Sequence, residues 1–187
     1  MTAAVYVKKK EDDTIVIDMS KELEHAVLVS KLAFAVGQEL KLEAEVCREL
    51  AIAGLLHDIG RLKLVKYIYS DENPMLIEEL KYARMHSKLG YEAVKNHGYS
   101  EFVLDSILYH HENYDGSGYP ANLRGEAIPY GARILHVCDV FAAMQEGRPH
   151  RSAVDLESAM QKMIDEVKNF DMEIFLAFQR VVHKDIL

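Results

Sequence analysis

The chain has 187 residues, 49% hydrophobic and 28% charged, the balance of an ordinary globular protein with material for one core. A net charge of −8 argues against a nucleic-acid duplex as partner, because gripping a phosphate backbone takes a basic surface. No apolar run reaches the roughly 20 residues needed to cross a bilayer, and the N-terminal lysines follow a short apolar patch, the reverse of a secretory signal.

Residues 4–18 (AVYVKKKEDDTIVID) hold two β-prone runs around a charged turn, so a short hairpin or added edge is expected there. The chain is accordingly divided into an N-terminal extension, 1–18, and one helical domain, 19–187. Ser20, followed by Leu23, Ala26, Val27, Ala33, Phe34 and Leu40, predicts a capped amphipathic helix. Leu42, Val46, Leu50, Ala53 and Leu56 repeat the spacing in a second helix that ends near Gly60. Residues 61–75 are mixed, and helices are predicted over about 74–85, 87–96 and 100–111. The stretch ENYDGSGYPANLRGEAIP (112–129), with its glycines and prolines, reads as a structured loop. Helices resume over 130–145, 153–168 and 172–182. The fold class predicted is all-α, a bundle of about seven or eight helices. Cys47 and Cys138 fall in apolar helical stretches without metal-type spacing, which predicts core thiols and a reducing, cytoplasmic setting.

Several histidines and aspartates stand where an apolar core should be. His57-Asp58 closes AIAGLLHDIG, and an imidazole and a carboxylate at an interior helix end each need a partner, which a metal ion would supply. His110-His111 ends FVLDSILYHH, and Asp139 lies among apolar residues in RILHVCDVFAAM, where a carboxylate calls for an ion or a cation. His25 is mid-helix and His86 opens another helix. Taken singly, each has an ordinary reading: a surface histidine, a chance His-Asp dipeptide, a solvated helix end. Taken together on separate helices, they have the form of ligands converging inside a bundle. Nitrogen and carboxylate donors without thiolates suit iron, manganese, nickel or zinc better than calcium or magnesium. His136, three residues before Asp139, could bond behind that site. His97, His150 and His183 read as surface or helix-end residues.

These residues make the sequence similar to the HD superfamily of metal-dependent phosphohydrolases, in its HD-GYP branch. The resemblance is carried by His25, LLHDIG (55–60), His86 in MHSKLGYEAV, HHENYDGSGYP (110–120), LRGEAIPYGARIL (123–135), DVFAAM with GRPHR (139–151), and NFDMEIFLAFQRVV as closing helix. It runs from about residue 20 to about 182. It implies a phosphodiesterase that opens cyclic di-GMP to linear pGpG, with onward hydrolysis to GMP left open. On this resemblance His25, His57, Asp58 and Asp139 would hold one metal. Asp58 would bridge to a second, completed by His86, His110 and His111. Two divalent ions are implied, iron or manganese favoured and zinc or nickel open, with a hydroxide between them as nucleophile. Asp58 and Arg61 would stand at the chemistry. Gly118 and Tyr119 would meet a guanine nucleotide, glycine by permitting close approach. Arg61, Arg148 and Arg151 would face substrate phosphates, with solvated surface charge as the alternative for the last two.

Two departures change what is expected. Lys21 stands where trinuclear members of the family have a glutamate, so two ions are expected and not three. Arg61 replaces the lysine of HDxGK; it keeps the positive charge but is a poor proton donor, so the leaving oxygen would take its proton from water. Two other readings stay open. One is an HD phosphohydrolase acting on another nucleotide; the other is a metal-loaded cyclic-dinucleotide sensor with little turnover, docking on a protein partner through its GYP loop.

Overall fold

The two β-prone runs pair as an antiparallel hairpin, β1 at Ala4–Lys8 and β2 at Thr14–Asp18, with Ala4 opposite Asp18 and Lys8 opposite Thr14. The computed structural model describes residues 4–8, 14–62, 84–145 and 154–184, the first of these and 14–19 by backbone alone. Seven α-helices follow among the described residues: α1 Met19–Glu39, α2 Ala44–Leu56, α3 His86–Val94, α4 Glu101–Tyr109, α5 Tyr130–Gln145, α6 Leu156–Asp165 and α7 Met172–Val182. The all-α class therefore holds, with the hairpin as its N-terminal addition. The predicted helix over 74–85 falls outside the described residues apart from 84–85, which form a turn.

Side-chain caps fix where several helices begin. Ser100 Oγ accepts from Val103 N at 3.3 Å ahead of α4, and Asp155 accepts from Ser158 N at 2.9 Å ahead of α6. Asp171 does the same for α7, taking Glu173 N at 3.0 Å. Periodicity stretched α6 over 153–168; the Asp155 cap starts it later, and past Asp165 the chain tightens into a 3-10 turn, Val167–Asn169. Ser20, expected as a cap, lies inside the first turn because α1 already starts at Met19. The second helix stops at Leu56, short of Gly60. Residues 57–59 form a turn and helical backbone resumes at 60–62, so His57 and Asp58 occupy a break between two helical pieces.

The core is built around α5. Eleven of its sixteen residues are buried, so any polar side chain on it lies deep in the molecule. It packs on Val29, Leu32 and Val36 of α1, Ile107 of α4, and Ile174 and Phe178 of α7. Phe141 meets Phe178 edge to face at 5.1 Å, and burying each such side chain stabilises by roughly 1.5–3 kcal/mol. Cys47 and Cys138 are buried free thiols, as expected. No described helix is long and apolar enough to cross a membrane. At the α2–α3 junction Gly60 lets two backbones touch: a Cβ there would lie 1.9 Å from the His86 carbonyl oxygen.

Candidate metal centre

The fold brings all seven sequence-predicted ligands to one place. His25 comes from the middle of α1, His57 and Asp58 from the break after α2, His86 from the first residue of α3, His110 and His111 from the end of α4, and Asp139 from the middle of α5. Three overlapping sets have donor atoms within 4.8 Å of one another: Asp58 with His86, His110 and His111; His25 with His57 and Asp58; and His57 with His110 and Asp139. Asp58 belongs to two of these sets, as a bridging carboxylate would. His25 Nε2 lies 3.0 Å from Asp139 Oδ1, and His86 Nε2 lies 3.1 Å from Asp58 Oδ1.

Local backbone selects the imidazole tautomer. His57 Nδ1 donates to the Gly54 carbonyl at 2.8 Å, and His110 Nδ1 donates to the Ile107 carbonyl at 2.7 Å. Each Nδ1 hydrogen is thereby engaged and Nε2 turns toward the cluster, as a lone pair on the neutral His110 and, on His57, as one that is freed when an ion displaces its second proton. His136 Nδ1 bonds the carbonyl of His110 at 3.0 Å, so it supports the peptide that carries the His110-His111 pair.

The electrostatics suit a cation in the middle. Burial, reinforced by the neighbouring His111 and His57, holds His110 well below the usual histidine range, and burial pushes His111 down to about 3. Both rings are therefore neutral near pH 7, as ligands must be. Burial also disfavours charge on His57, but Asp58 and then Asp139 outweigh it and lift its pKa to about 9. The same pairing, with His86 and Arg61 at Asp58 and His25 at Asp139, keeps both carboxylates ionised against the pull of burial.

Do these residues fit an ion? His57 Nε2 is buried without a hydrogen bond, a costly state unless something else satisfies it, and the buried oxygens of Asp58 meet His86 and Arg61 as ion-pair contacts. The His86 and His111 Nε2 atoms are 2.9 Å apart, and those of His86 and His110 3.3 Å. Nitrogens bound at about 2.1 Å to one ion stand about 3 Å apart along an octahedral edge. The donor set fits a first-row divalent cation.

Around this cluster the loop after α4 folds back on itself. The carboxylate of Glu112, buried, accepts from Ala121 N at 2.6 Å and from Leu123 N at 3.0 Å. Tyr119 N donates to the His111 carbonyl at 3.1 Å, and the Tyr119–Pro120 bond is cis. Gly118 lies buried against the chain, where a Cβ would come 2.2 Å from Asn113 N. The result sets the Tyr119 ring on His111, 4.8 Å between centroids and 29° apart in plane. Arg84 Cζ lies 5.4 Å from the centre of the same tyrosine ring.

Arg61 is held by two acids. Its Nε is 3.0 Å from Asp58 Oδ2 and its Nη1 is 3.2 Å from Glu22 Oε2. A cleft of about 140 Å³ opens beside this group, walled by Leu23, Ala26, Leu55, Ile59 and Leu62. Lys21 is exposed, one residue away from the acid that meets Arg61. Arg148, Arg151 and His150 lie outside the described residues. Sequence reasoning missed Glu22 and Glu112. The signal for Glu112 was its place directly after His110-His111; for Glu22 there was none, since its partner is thirty-nine positions away.

Residues 11–174 match the HD domain family. A cyclic di-GMP phosphodiesterase of Pseudomonas aeruginosa is 34% identical over 159 residues, covering 84% of this chain and 38% of that protein. A 3'3'-cGAMP-specific phosphodiesterase of Vibrio cholerae is 32% identical, covering 81% of this chain and 36% of that protein. The chain thus spans under two fifths of the length of these relatives. Among solved structures, an HDG"Y"P protein of Bdellovibrio bacteriovorus superposes with a TM-score of 0.67 at 23% identity, covering 87% of this chain and 52% of that one, a likeness of fold.

Proposed function

The chain belongs to the HD domain family, in its HD-GYP form, and on that premise we propose that it is a metal-dependent phosphodiesterase hydrolysing cyclic di-GMP to linear pGpG. The observation that carries this reading is the meeting of five imidazoles and two carboxylates in one buried cluster. We assign His25, His57, Asp58 and Asp139 to one divalent ion and His86, His110 and His111, with Asp58 as bridge, to a second, iron or manganese being the favoured metals. Two such ions supply an activated water and neutralise charge on the attacked phosphodiester. The protein's own residues do the rest. His25 Nε2 and Asp139 Oδ1 stand 3.0 Å apart, the spacing of two neighbouring donors on one ion, while the Gly54 and Ile107 carbonyls hold the Nδ1 side of His57 and His110. Arg61, tied to Asp58 and Glu22, steadies the bridging carboxylate and keeps positive charge at the mouth of the cleft. Tyr119 offers a ring at the edge of the cluster for a guanine base, with Arg148 and Arg151 as phosphate contacts and the site facing the cytoplasm. The catalytic unit is the helical domain, 19–187.

A second substrate, 3'3'-cGAMP, is favoured by one observation: a relative specific for it covers nearly as much of this chain as the cyclic di-GMP enzyme does. The test is anaerobic purification with iron or manganese restored, metal analysis, and product analysis on both cyclic dinucleotides. The expected result is two ions per chain and faster release of pGpG than of any product from 3'3'-cGAMP. Three ions per chain would refute the two-metal assignment, and tight binding of cyclic di-GMP without turnover would make the chain a sensor.

A further inference from the structure

We propose that Arg84 is a substrate-binding residue that holds the phosphodiester of the cyclic dinucleotide which is not being cleaved. This rests on the phosphodiesterase reading above and adds to it the residue that recognises the second half of the substrate. Arg84 is exposed and lies two positions before His86, in the turn that leads into α3. Its guanidinium sits 5.4 Å from the centre of the Tyr119 ring, and Tyr119 in turn stacks on His111. It is therefore one aromatic ring removed from the metal cluster.

Its charge is available in a way that its neighbour's is not. Arg61 is closer to the cluster but is engaged by Asp58 and Glu22. Among the described residues Arg84 makes no ion pair with a carboxylate, and its guanidinium meets the aromatic face of Tyr119. Such a contact leaves the N–H donors, which lie in the plane of the guanidinium, directed outward. A cyclic dinucleotide brings two phosphodiesters joined in one ring. When the scissile one lies against the ions, the other is held close by covalent geometry and faces a protein of net charge −8. An anion in that place needs a local cation. A guanidinium suits it, because its fork matches two phosphate oxygens.

The experiment compares two substrates that differ in the number of phosphodiesters, cyclic di-GMP and bis(p-nitrophenyl) phosphate, on the full chain loaded with manganese. Arg84→Ala is expected to raise KM for cyclic di-GMP roughly ten- to a hundredfold, the worth of a charged hydrogen bond, with a far smaller change for the single diester. Arg84→Lys should recover part of the loss, since an ammonium restores the charge facing the phosphate but not the two-pronged fork. Equal losses on both substrates would mean that Arg84 only props Tyr119, and no loss on either would mean that it touches nothing; each overturns the proposal. A lysine variant as impaired as the alanine variant would also overturn it, pointing to recognition of a base edge. If the wild-type chain turns over neither substrate, the phosphodiesterase reading itself has failed. Calorimetric affinity for cyclic di-GMP in wild type and Arg84→Ala then decides Arg84 separately.

Discussion

The inner and outer sides of the metal cluster are built in different ways. On the inner side, His57 and His110 are fully buried, and each ring is fixed by a carbonyl three residues back on its own helix. On the outer side, His111 is partly exposed and is positioned by His86, by Tyr119 and by a loop that has to turn back over it. The inner pair is placed by local helix geometry. The outer residues are placed by contacts between distant parts of the chain.

Substitutions can break this contrast. The largest loss is expected where the two sides join. Asp58→Ala removes the carboxylate shared by two donor sets, and should lower kcat/KM by well over a hundredfold, more than the loss of an orienting partner behind a ligand. Metal content should fall with it; full metal occupancy would show that Asp58 is no ligand. Glu112→Ala should act on the outer side alone. It strips Ala121 N and Leu123 N of their acceptor, with an expected loss of about tenfold in kcat/KM and metal content retained. Ions lost along with activity would mean that the two sides are not separable.

Gly60→Ala tests the seam by stability. The added methyl would overlap the His86 carbonyl oxygen, so destabilisation of about 2–3 kcal/mol is expected, a fall in Tm of roughly 4–12 °C. A Tm within a degree of wild type would mean that α3 simply shifts away. The smallest effect concerns the metal-free protein and pH. His111, with its folded pKa near 3, and His110, held low, bind fewer protons folded than unfolded, so their contribution is lost as pH falls below 6.5. His57, raised to about 9, contributes fully below 6.5 and loses its contribution as pH rises toward 9. The Tm of chelator-stripped protein should therefore peak near pH 6.5, and a steady rise from pH 6.5 to 9 would contradict the charged state of His57.

The same contrast explains what could be read from the sequence. The helices α5 and α7 keep the limits that their apolar spacing predicts, because one face of each is buried along its whole length. The inner residues of the cluster were legible for a related reason: His57, His110 and Asp139 are polar residues in apolar runs, and burial of that kind needs an explanation. The hidden features depend on separation in the chain. Glu112 finds its partners nine and eleven positions further on, where the loop has folded back over it. Arg61 meets Glu22 across the packing of α1 against the segment after α2. No periodicity encodes such meetings. Gly118 is packed on the backbone of its own loop, a close approach that no spacing announces.

His110, His111 and Glu112 are three consecutive residues with two employments, the first two facing the His/Asp cluster and the third fastening the loop. In a tripeptide of this kind any influence between the loop and a bound ion runs through the peptide that joins His111 to Glu112. Whatever factor a nucleotide seated by the loop adds to affinity for the ions, the ions must then add to affinity for the nucleotide.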